Sequence, residues 1–196
     1  MESRVSRISD IITQSIAVKE KIRQDAGLLE TVTRVVDELT SAFRRHNKVM
    51  FCGNGGSAAD AQHLAAELSG RFYFDRKPLP AEALHVNTSY LTAVANDYSY
   101  DEIYSRLVEA QGATGDVLIG ISTSGNSKNV IKAIETANAL GVITIGMTGS
   151  TGGKMRSLCQ YLLAVPSDDT PRIQESHILL GHILCELVEQ NLFTKP

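Results

Sequence analysis

Residues 49–67 read VMFCGNGGSAADAQHLAAE, and this stretch decides how the rest of the chain is interpreted. The apolar run at 49–52 is typical of a buried strand, the glycines after it favour a tight loop, and a helical pattern begins at Ser57. A helix that follows a strand in this way turns unpaired backbone N–H groups toward the loop, where they can bind an anion. The stretch therefore predicts a strand, a glycine loop and a helix that together form an anion site.

Short apolar runs alternate with helical patterns through the rest of the chain. The predicted strands are residues 48–52, 81–86, 116–121, 142–147 and 161–165. The predicted helices after the first strand are residues 57–69, 89–95, 101–111, 127–140 and 171–193. Strands joined by helical crossovers build a mostly parallel sheet with helices on its faces. We therefore expect an α/β fold with a doubly wound, five-stranded parallel sheet.

Two amphipathic patterns precede the first strand. The first has apolar residues at helical spacing at Val5, Ile8, Ile12 and Ile16. The second has them at Leu28, Val32, Val35, Leu39 and Phe43. A chain of 196 residues suits one domain, residues 1–196, with residues 1–46 as a helical lead-in. A domain of this size has little surface against which the lead-in could be buried, which indicates that a helix of the lead-in faces a partner in an oligomer. The alternative is that the lead-in simply packs on the sheet.

Composition narrows the classes of protein. Hydrophobic residues make up 43% and charged residues 21% of the chain, and no apolar run is long enough to span a membrane. Residues 1–21 lack the continuous apolar core of a signal peptide. A net charge of −3 without any basic run disfavours direct nucleic-acid binding. Three widely spaced cysteines fit neither a disulfide framework nor a cysteine-based zinc site, so we expect a cytoplasmic protein.

Three strand-to-helix loops should meet at one edge of the sheet. They are residues 53–57, 122–127 and 148–153, each at the carboxyl end of a predicted strand, where open α/β sheets bind ligands. The second loop reads STSGNS and offers four hydroxyl groups beside a helix N-terminus, which suits a phosphomonoester; plain turns and caps use the same residues. Neither a Walker lysine nor the third glycine of a dinucleotide loop is present, which disfavours ATP and NAD.

Histidines and carboxylates form the second group of candidates. His63 and Glu67 are four residues apart and share one face of the predicted helix, although such a polar stripe is also typical of a solvent-facing side. The last helix carries His177 and His182 among apolar residues, and a lone histidine in the surroundings of His182 is more often a core residue than a ligand. Gln174 and His182 are separated by about 12 Å of helix rise, so they either lean toward one centre or serve sites shared between subunits.

Three motifs together resemble those of the sugar-isomerase (SIS) domain family. They are CGNGGS at 52–57, STSGNS at 122–127 and RIQE at 172–175, and the resemblance covers essentially the whole chain. It implies a flavodoxin-like five-stranded sheet and a homotetramer with active sites at subunit interfaces. It also implies conversion of sedoheptulose 7-phosphate to D-glycero-D-manno-heptose 7-phosphate, which feeds heptose synthesis for bacterial surface glycans.

The same resemblance implies a set of site residues. It places the metal ligands, for one zinc ion per subunit, on His63, Glu67, Gln174 and His182. It places the substrate contacts on Asn54, Gly55, Gly56, Glu67, Asn96, Asp97, Ser122, Thr123, Ser124, Ser127 and Gln174.

A ketose-to-aldose conversion needs a base for the C1 proton, an acid partner at the oxygens and stabilisation of the enediolate. We assign Glu67 as the base between C1 and C2, and His182 to proton exchange at O1 and O2. Zinc would polarise the carbonyl, although glutamine is an unusual zinc ligand. Because Glu67 cannot ligate fully and act as a base at once, we expect its coordination to be weak or changeable.

Two alternatives lie within the SIS-domain family. The first is a non-enzymatic tetramer that binds the replication initiator protein, in which the positions of Glu67 and His182 do not retain the acid–base pair. The second is another SIS isomerase or a sugar-phosphate sensor, which would use the loop at 122–127 but would leave His63, Glu67 and His182 unexplained. The presence of the pair favours the enzyme.

Overall fold

The computed structural model describes residues 3–194. Its strands are β1 (Val49–Gly53), β2 (Ala81–Ala83), β3 (Val117–Ile121), β4 (Ile143–Thr148) and β5 (Tyr161–Ala164). Its α-helices are α1 (Arg4–Gln24), α2 (Ala26–Arg44), α3 (Gly56–Ser69), α4 (Thr88–Asp97), α5 (Ser105–Gln111), α6 (Lys128–Ala139) and α7 (Thr170–Leu192). Short 3₁₀ helices lie at Tyr100–Glu102 and Gly153–Ser157.

The strands form one parallel sheet in the order β2-β1-β3-β4-β5. In the register, Gly53 lies opposite Ile121, which in turn lies opposite Met147, so β1, β3 and β4 end side by side. The chain runs outward from β1 to β2 and then crosses back to β3, which makes the β1–β3 boundary the switch point of the topology. The predicted five-stranded parallel sheet is therefore confirmed, and three loops emerge together at its carboxyl edge.

Several element boundaries differ from the predictions. The second strand stops at Ala83 rather than at residue 86, because the backbone turns there and Val86 N donates to Ala83 O. The predicted helix at 101–111 is divided into the Tyr100–Glu102 turn and α5. Helix α3 begins at Gly56, one residue before the predicted start, because Gly55 occupies the N-cap position.

The sheet buries a separate apolar cluster on each face. Along β1, Val49 and Phe51 belong to the cluster on the side of α1, α2, α3 and α7, whereas Met50 and Cys52 belong to the cluster on the side of α4, α5 and α6. Side chains that alternate in this way along a strand serve both faces. The strands are thus apolar throughout, as is typical of a parallel sheet covered on both sides.

Helix α1 leaves most of its apolar stripe exposed. Only Val18 and Ile22, near its end, are buried. The exposed fractions of the earlier residues are 77% for Val5, 58% for Ile8, 54% for Ile12 and 59% for Ile16. Packing on the sheet therefore does not explain the first half of α1.

A buried ion pair fixes the segment after α3. Glu189 on α7 accepts hydrogen bonds from the backbone N–H groups of Phe72, Tyr73 and Phe74, and from Arg76 Nε at 2.9 Å. Arg76 in turn donates to the backbone carbonyl of Glu67 at 2.9 Å. Both side chains are almost completely buried, so every one of these bonds is shielded from water. The pair thus ties the end of α3 and residues 72–76 to α7.

Within residues 3–194, none of the helices combines the length and the apolar character that crossing a membrane requires.

Helix α7 crosses α3 closely at Gly181. A Cβ atom built on Gly181 would lie 2.5 Å from Leu64 Cδ1 and 2.6 Å from Cδ2, much closer than carbon atoms can approach. A side chain at 181 therefore requires either that the helices separate or that Leu64 moves. Leu64 is itself buried and can move only into the small apolar cavity that it lines together with Gly181.

We expect Gly181→Ala to lower the free energy of unfolding by about 1–3 kcal/mol, because it overpacks this crossing. Gly27→Ala is the matched control, since the nearest contact of its new Cβ would be an ordinary 3.5 Å and α2 gains helix propensity there. Urea unfolding of both variants measures the difference. Equal stability of the two variants would contradict the close crossing.

His177 is the histidine of α7 that belongs to the core. It is completely buried, and its Nε2 lies 3.1 Å from Thr148 O. Burial lowers the pKa of His177 to about 4. Its unfolded value is about 6.5, so between pH 6.5 and 4 the unfolded chain binds more protons than the native one, and stability falls as the pH falls through this window.

We expect His177→Gln, which keeps a donor for Thr148 O, to remove this dependence. Between pH 7 and pH 5 the wild type should lose about 2 kcal/mol more than the variant. Urea unfolding of both proteins at the two pH values checks this. If both lose the same free energy, His177 does not titrate as its burial requires.

Candidate functional site

The glycine loop between β1 and α3 has a backbone that only glycine adopts readily. Gly55 has φ 56° and ψ −123°, which lies outside the regions allowed to other residues. A Cβ atom on Gly56 would lie 2.7 Å from Gln174 Nε2, so the amide of Gln174 rests directly on the loop. Two predicted site elements, the glycine loop and Gln174 of α7, are therefore in contact.

The hydroxyl loop after β3, residues 122–127, is closed on itself. Ser122 Oγ and Ser127 Oγ lie 2.9 Å apart, and Gly125 N donates to Ser122 O at 2.9 Å. Ser122 is buried, whereas Ser124 is exposed. The loop directs Ser127 to the N-cap of α6, where its hydroxyl bonds to Ser122 instead of capping the helix. The N–H groups of Lys128 and Asn129 thus remain available to an anion, whereas that of Val130 is bonded to Asn129 Oδ1.

The third loop supports the second. Gly149 N donates to Thr123 O at 2.8 Å, Met155 N donates to Gly125 O at 3.1 Å, and Lys154 N donates to Asn126 Oδ1 at 3.1 Å. A Cβ atom on Gly125 would lie 2.1 Å from Gly152 O, so glycine is needed at this contact. The residues of 148–153 therefore reach the same edge of the sheet as predicted, where they pack behind the hydroxyl loop.

His63 and Glu67 of α3 meet His182 of α7 where the two helices pack together. His63 Nε2 lies 3.0 Å from Glu67 Oε1 and 3.2 Å from His182 Nε2. The three ligand atoms all lie within 4.8 Å of one another. His63 is half exposed, and Glu67 and His182 are partly buried, so the cluster is open to solvent on one side. His182 therefore does not belong to the core, and His63 does not belong to a purely solvated face.

These separations fit a bound metal ion. Ligand atoms at about 2.0–2.2 Å from a tetrahedral zinc ion lie roughly 3.3 Å from each other, close to the two distances around His63 Nε2. Two imidazoles and one carboxylate are also a donor set that zinc accepts in catalytic sites, where a position is kept open for water or substrate. The three residues can therefore hold a metal ion with little rearrangement.

Asp60 lies one turn before His63 on α3. Its Oδ2 atom is buried and has no hydrogen-bond partner within the described part of the chain. Burial raises the pKa of Asp60, although the neighbouring His63 acts in the opposite direction. An acid with a raised pKa next to a metal-ligand cluster is typical of functional sites.

The remaining predicted residues lie at separate places around the site. Asn96 and Asp97 end α4, are exposed, and are joined by a bond from Asn96 Nδ2 to Asp97 Oδ1 at 2.9 Å. Gln174 lies against Gly56, eight residues before His182 on the same helix.

Tyr100 and Asn129 contact this region although the sequence did not single them out. Tyr100 Oη donates to Asn54 Oδ1 at 3.1 Å, and the amides of Asn129 and Asn54 bond to each other. Asn129 follows the hydroxyl loop by two residues, at the start of α6. A polar residue in the first turn of a helix usually caps it or faces solvent, so its sequence position gave no signal of this contact.

Comparison with known proteins places this geometry in a family. Residues 9–149 match the SIS domain family. The chain is 53% identical to the phosphoheptose isomerase of Aneurinibacillus thermoaerophilus over 95% of its length and 94% of that protein. It is 51% identical to phosphoheptose isomerase 2 of Campylobacter jejuni over 100% of its length and 97% of that protein.

A solved structure agrees with the sequence relatives. The phosphoheptose isomerase of Neisseria gonorrhoeae has the same fold with a TM-score of 0.90 and 41% identity, covering 96% of this chain and all of that one. The sequence and the fold thus both agree with this family over nearly the whole length of the chain. The chain belongs to the phosphoheptose isomerases of the SIS-domain family.

Proposed function

We propose that this protein isomerises sedoheptulose 7-phosphate to D-glycero-D-manno-heptose 7-phosphate, a heptose used in bacterial surface glycans. The observation that carries the proposal is the cluster of His63, Glu67 and His182, in a chain whose glycine and hydroxyl loops suit a phosphorylated sugar. The relatives named phosphoheptose isomerase support the same substrate class.

The reaction moves one proton between carbons and one between oxygens. Glu67 removes the proton from C1 of the ketose and returns it to C2, while His182 transfers a proton from O1 to O2. The product is the aldose, with an enediol as the intermediate. Glu67 suits this role because its backbone carbonyl accepts a hydrogen bond from Arg76, which fixes the end of α3 that carries the Glu67 carboxylate. The partly open cluster leaves room for the sugar beside both groups.

We propose zinc as the cofactor, one ion per subunit, held by His63, Glu67 and His182 with Gln174 as a further ligand. The spacing of the first three donor atoms supports it. When bound, zinc supplies Lewis-acid polarisation of the substrate carbonyl. Glu67 has one oxygen near His63 and acts as the base as well, so its hold on the ion has to be weak or changeable.

The resemblance to the family supports a set of substrate contacts on these loops. We propose that the phosphate binds the hydroxyl loop through Ser122, Thr123, Ser124 and Ser127 at the start of α6, where the positive end of the helix favours an anion. The sugar then extends toward Glu67 and Gln174 along the glycine loop of Asn54, Gly55 and Gly56. Asn96 and Asp97 are proposed to contact its hydroxyl groups.

We also propose a homotetramer with active sites at subunit interfaces. The exposed stripe at Val5, Ile8, Ile12 and Ile16 supports an interface that includes residues 1–46, because an exposed row of aliphatic residues is costly in water. The exposed side of the His63 cluster supports a site completed by a neighbouring subunit. The three free cysteines support a reducing, cytoplasmic location.

The non-enzymatic alternatives are not favoured. A tetramer that only binds the replication initiator protein has no use for an acid–base pair, and a sugar-phosphate sensor needs only the hydroxyl loop. The meeting of Glu67 and His182 with His63 across two helices argues for chemistry at this place. The names of the relatives point the same way.

We expect zinc-supplied protein to form an aldose heptose phosphate from sedoheptulose 7-phosphate in D₂O, with solvent deuterium at C2. Proton NMR measures both. Glu67→Gln should lower turnover by roughly 10²–10⁴-fold, because it removes the base.

Glu135→Gln on the exposed face of α6 is the matched control and should turn over like the wild type. A wild type that makes no aldose would overturn the proposed function. If Glu67→Gln lost the metal but kept full turnover, the role of Glu67 as a base would be wrong.

We expect zinc to bind at one ion per subunit, and His182→Ala to weaken it more than roughly 100-fold, since even groups that only support a ligand contribute 10–100-fold. Titration calorimetry with zinc alone gives both numbers. His46→Asn is the control, because this exposed histidine has φ 63°, a conformation that asparagine tolerates. Unchanged zinc affinity in His182→Ala would exclude the proposed ligand set.

A further inference from the structure

Asn54 and Asn129 form a reciprocal pair of hydrogen bonds. Asn54 Nδ2 donates to Asn129 Oδ1 at 2.9 Å, and Asn129 Nδ2 donates to Asn54 Oδ1 at 2.8 Å. Asn129 is 3% exposed, and its Oδ1 also accepts from Val130 N at 2.9 Å. The pair therefore joins the glycine loop after β1 to the first turn of α6, which carries the hydroxyl loop, across 75 residues of sequence.

A third segment, which carries Tyr100 and Tyr104, also contacts the start of the glycine loop. Tyr100 Oη donates to Asn54 Oδ1 at 3.1 Å, and the buried Tyr104 Oη donates to Gly53 O. Asn54 Oδ1 thus accepts two hydrogen bonds, and its Nδ2 donates one. The glycine loop needs such anchors, because the Gly55 that follows Asn54 has no side chain and open space around it.

We propose that Asn129 is a positioning residue of the isomerase, and that it acts through Asn54 to hold the glycine loop at a fixed distance from the hydroxyl loop. The inference rests on the proposed function, in which one loop holds the sugar and the other its phosphate. A substrate bound at both ends makes both sets of contacts only when these two loops keep their spacing, and a spacing that is already set before binding lowers the cost of binding the substrate.

An amide is required at position 129 by the geometry of the pair. The partner of Asn54 must offer one donor and one acceptor side by side, which a short carboxamide does and a carboxylate does not. With aspartate at 129, two acceptor oxygens would face the Asn54 amide, and one would meet Asn54 Oδ1 whichever way the amide turns. Aspartate would still accept the hydrogen bond from Val130 N, so the start of α6 is preserved.

We therefore expect Asn129→Asp to lower kcat/KM for sedoheptulose 7-phosphate at least 10-fold, with most of the change in KM. Zinc content should stay at the wild-type level, because His63, Glu67 and His182 are untouched. A purely structural defect would instead reduce the active fraction and leave KM unchanged. Asn138→Asp is the matched control: it is the same substitution on the same helix, where Asn138 bonds to Leu158 O and Thr144 away from the loops.

The link through Asn54 is tested by combining variants. If Asn129 acts through Asn54, the double variant Asn54→Ala with Asn129→Asp should lose no more activity than Asn54→Ala alone, whereas independent effects would multiply. Tyr100→Phe, at an exposed position, removes a single hydrogen bond to Asn54 and should raise KM more modestly even if Asn129→Asp folds poorly.

Two failures can be told apart. A wild type without isomerase activity overturns the proposed function. An active wild type whose Asn129→Asp and Tyr100→Phe variants keep the KM of Asn138→Asp overturns the positioning role alone, as do losses that multiply in the double variant.

Discussion

The close crossing of α3 and α7 at Gly181 is the contact on which the candidate site depends. His63 and Glu67 lie on α3, and His182 is the neighbour of the glycine that permits the crossing. A larger residue at 181 would displace Leu64 or separate the two helices, and ligand distances in a metal site vary by only about 0.2 Å. The packing of two helices therefore sets the distances among the groups that would do the chemistry.

The buried pair of Arg76 and Glu189 controls the other end of α3. A buried ion pair recovers its desolvation cost only when its remaining hydrogen-bonding capacity is used, and here three backbone N–H groups and several carbonyl oxygens use it. One of these carbonyls belongs to Glu67. The main effect of the pair is therefore to fix the position of residues 72–76 and of the last turn of α3, which carries Glu67, and its effect on stability is smaller.

Much of the fold could be predicted because strands that are buried on both faces leave short continuous apolar runs, and helices that are apolar on one face leave a helical period. The site was harder to predict. His177 and His182 both stand among apolar residues, and five positions turn a helix by about 140°, so one points to the core and the other to α3. Which histidine faces the core depends on how α7 is rotated about its axis, and the packing at Gly181 determines that rotation. Asn129 and Tyr100 could not be found, because their significance lies in a partner 75 or 46 residues away.

The 119 positions that separate His63 from His182 have a consequence for how the molecule is made. A nascent chain that has already folded β1, α3 and most of the sheet still lacks one imidazole of the cluster until α7 has left the ribosome. An ion that needs both histidines cannot bind tightly to any earlier intermediate. Binding of such an ion would therefore stabilise only conformations in which α7 has packed against α3, and metal supply would act on that step of folding.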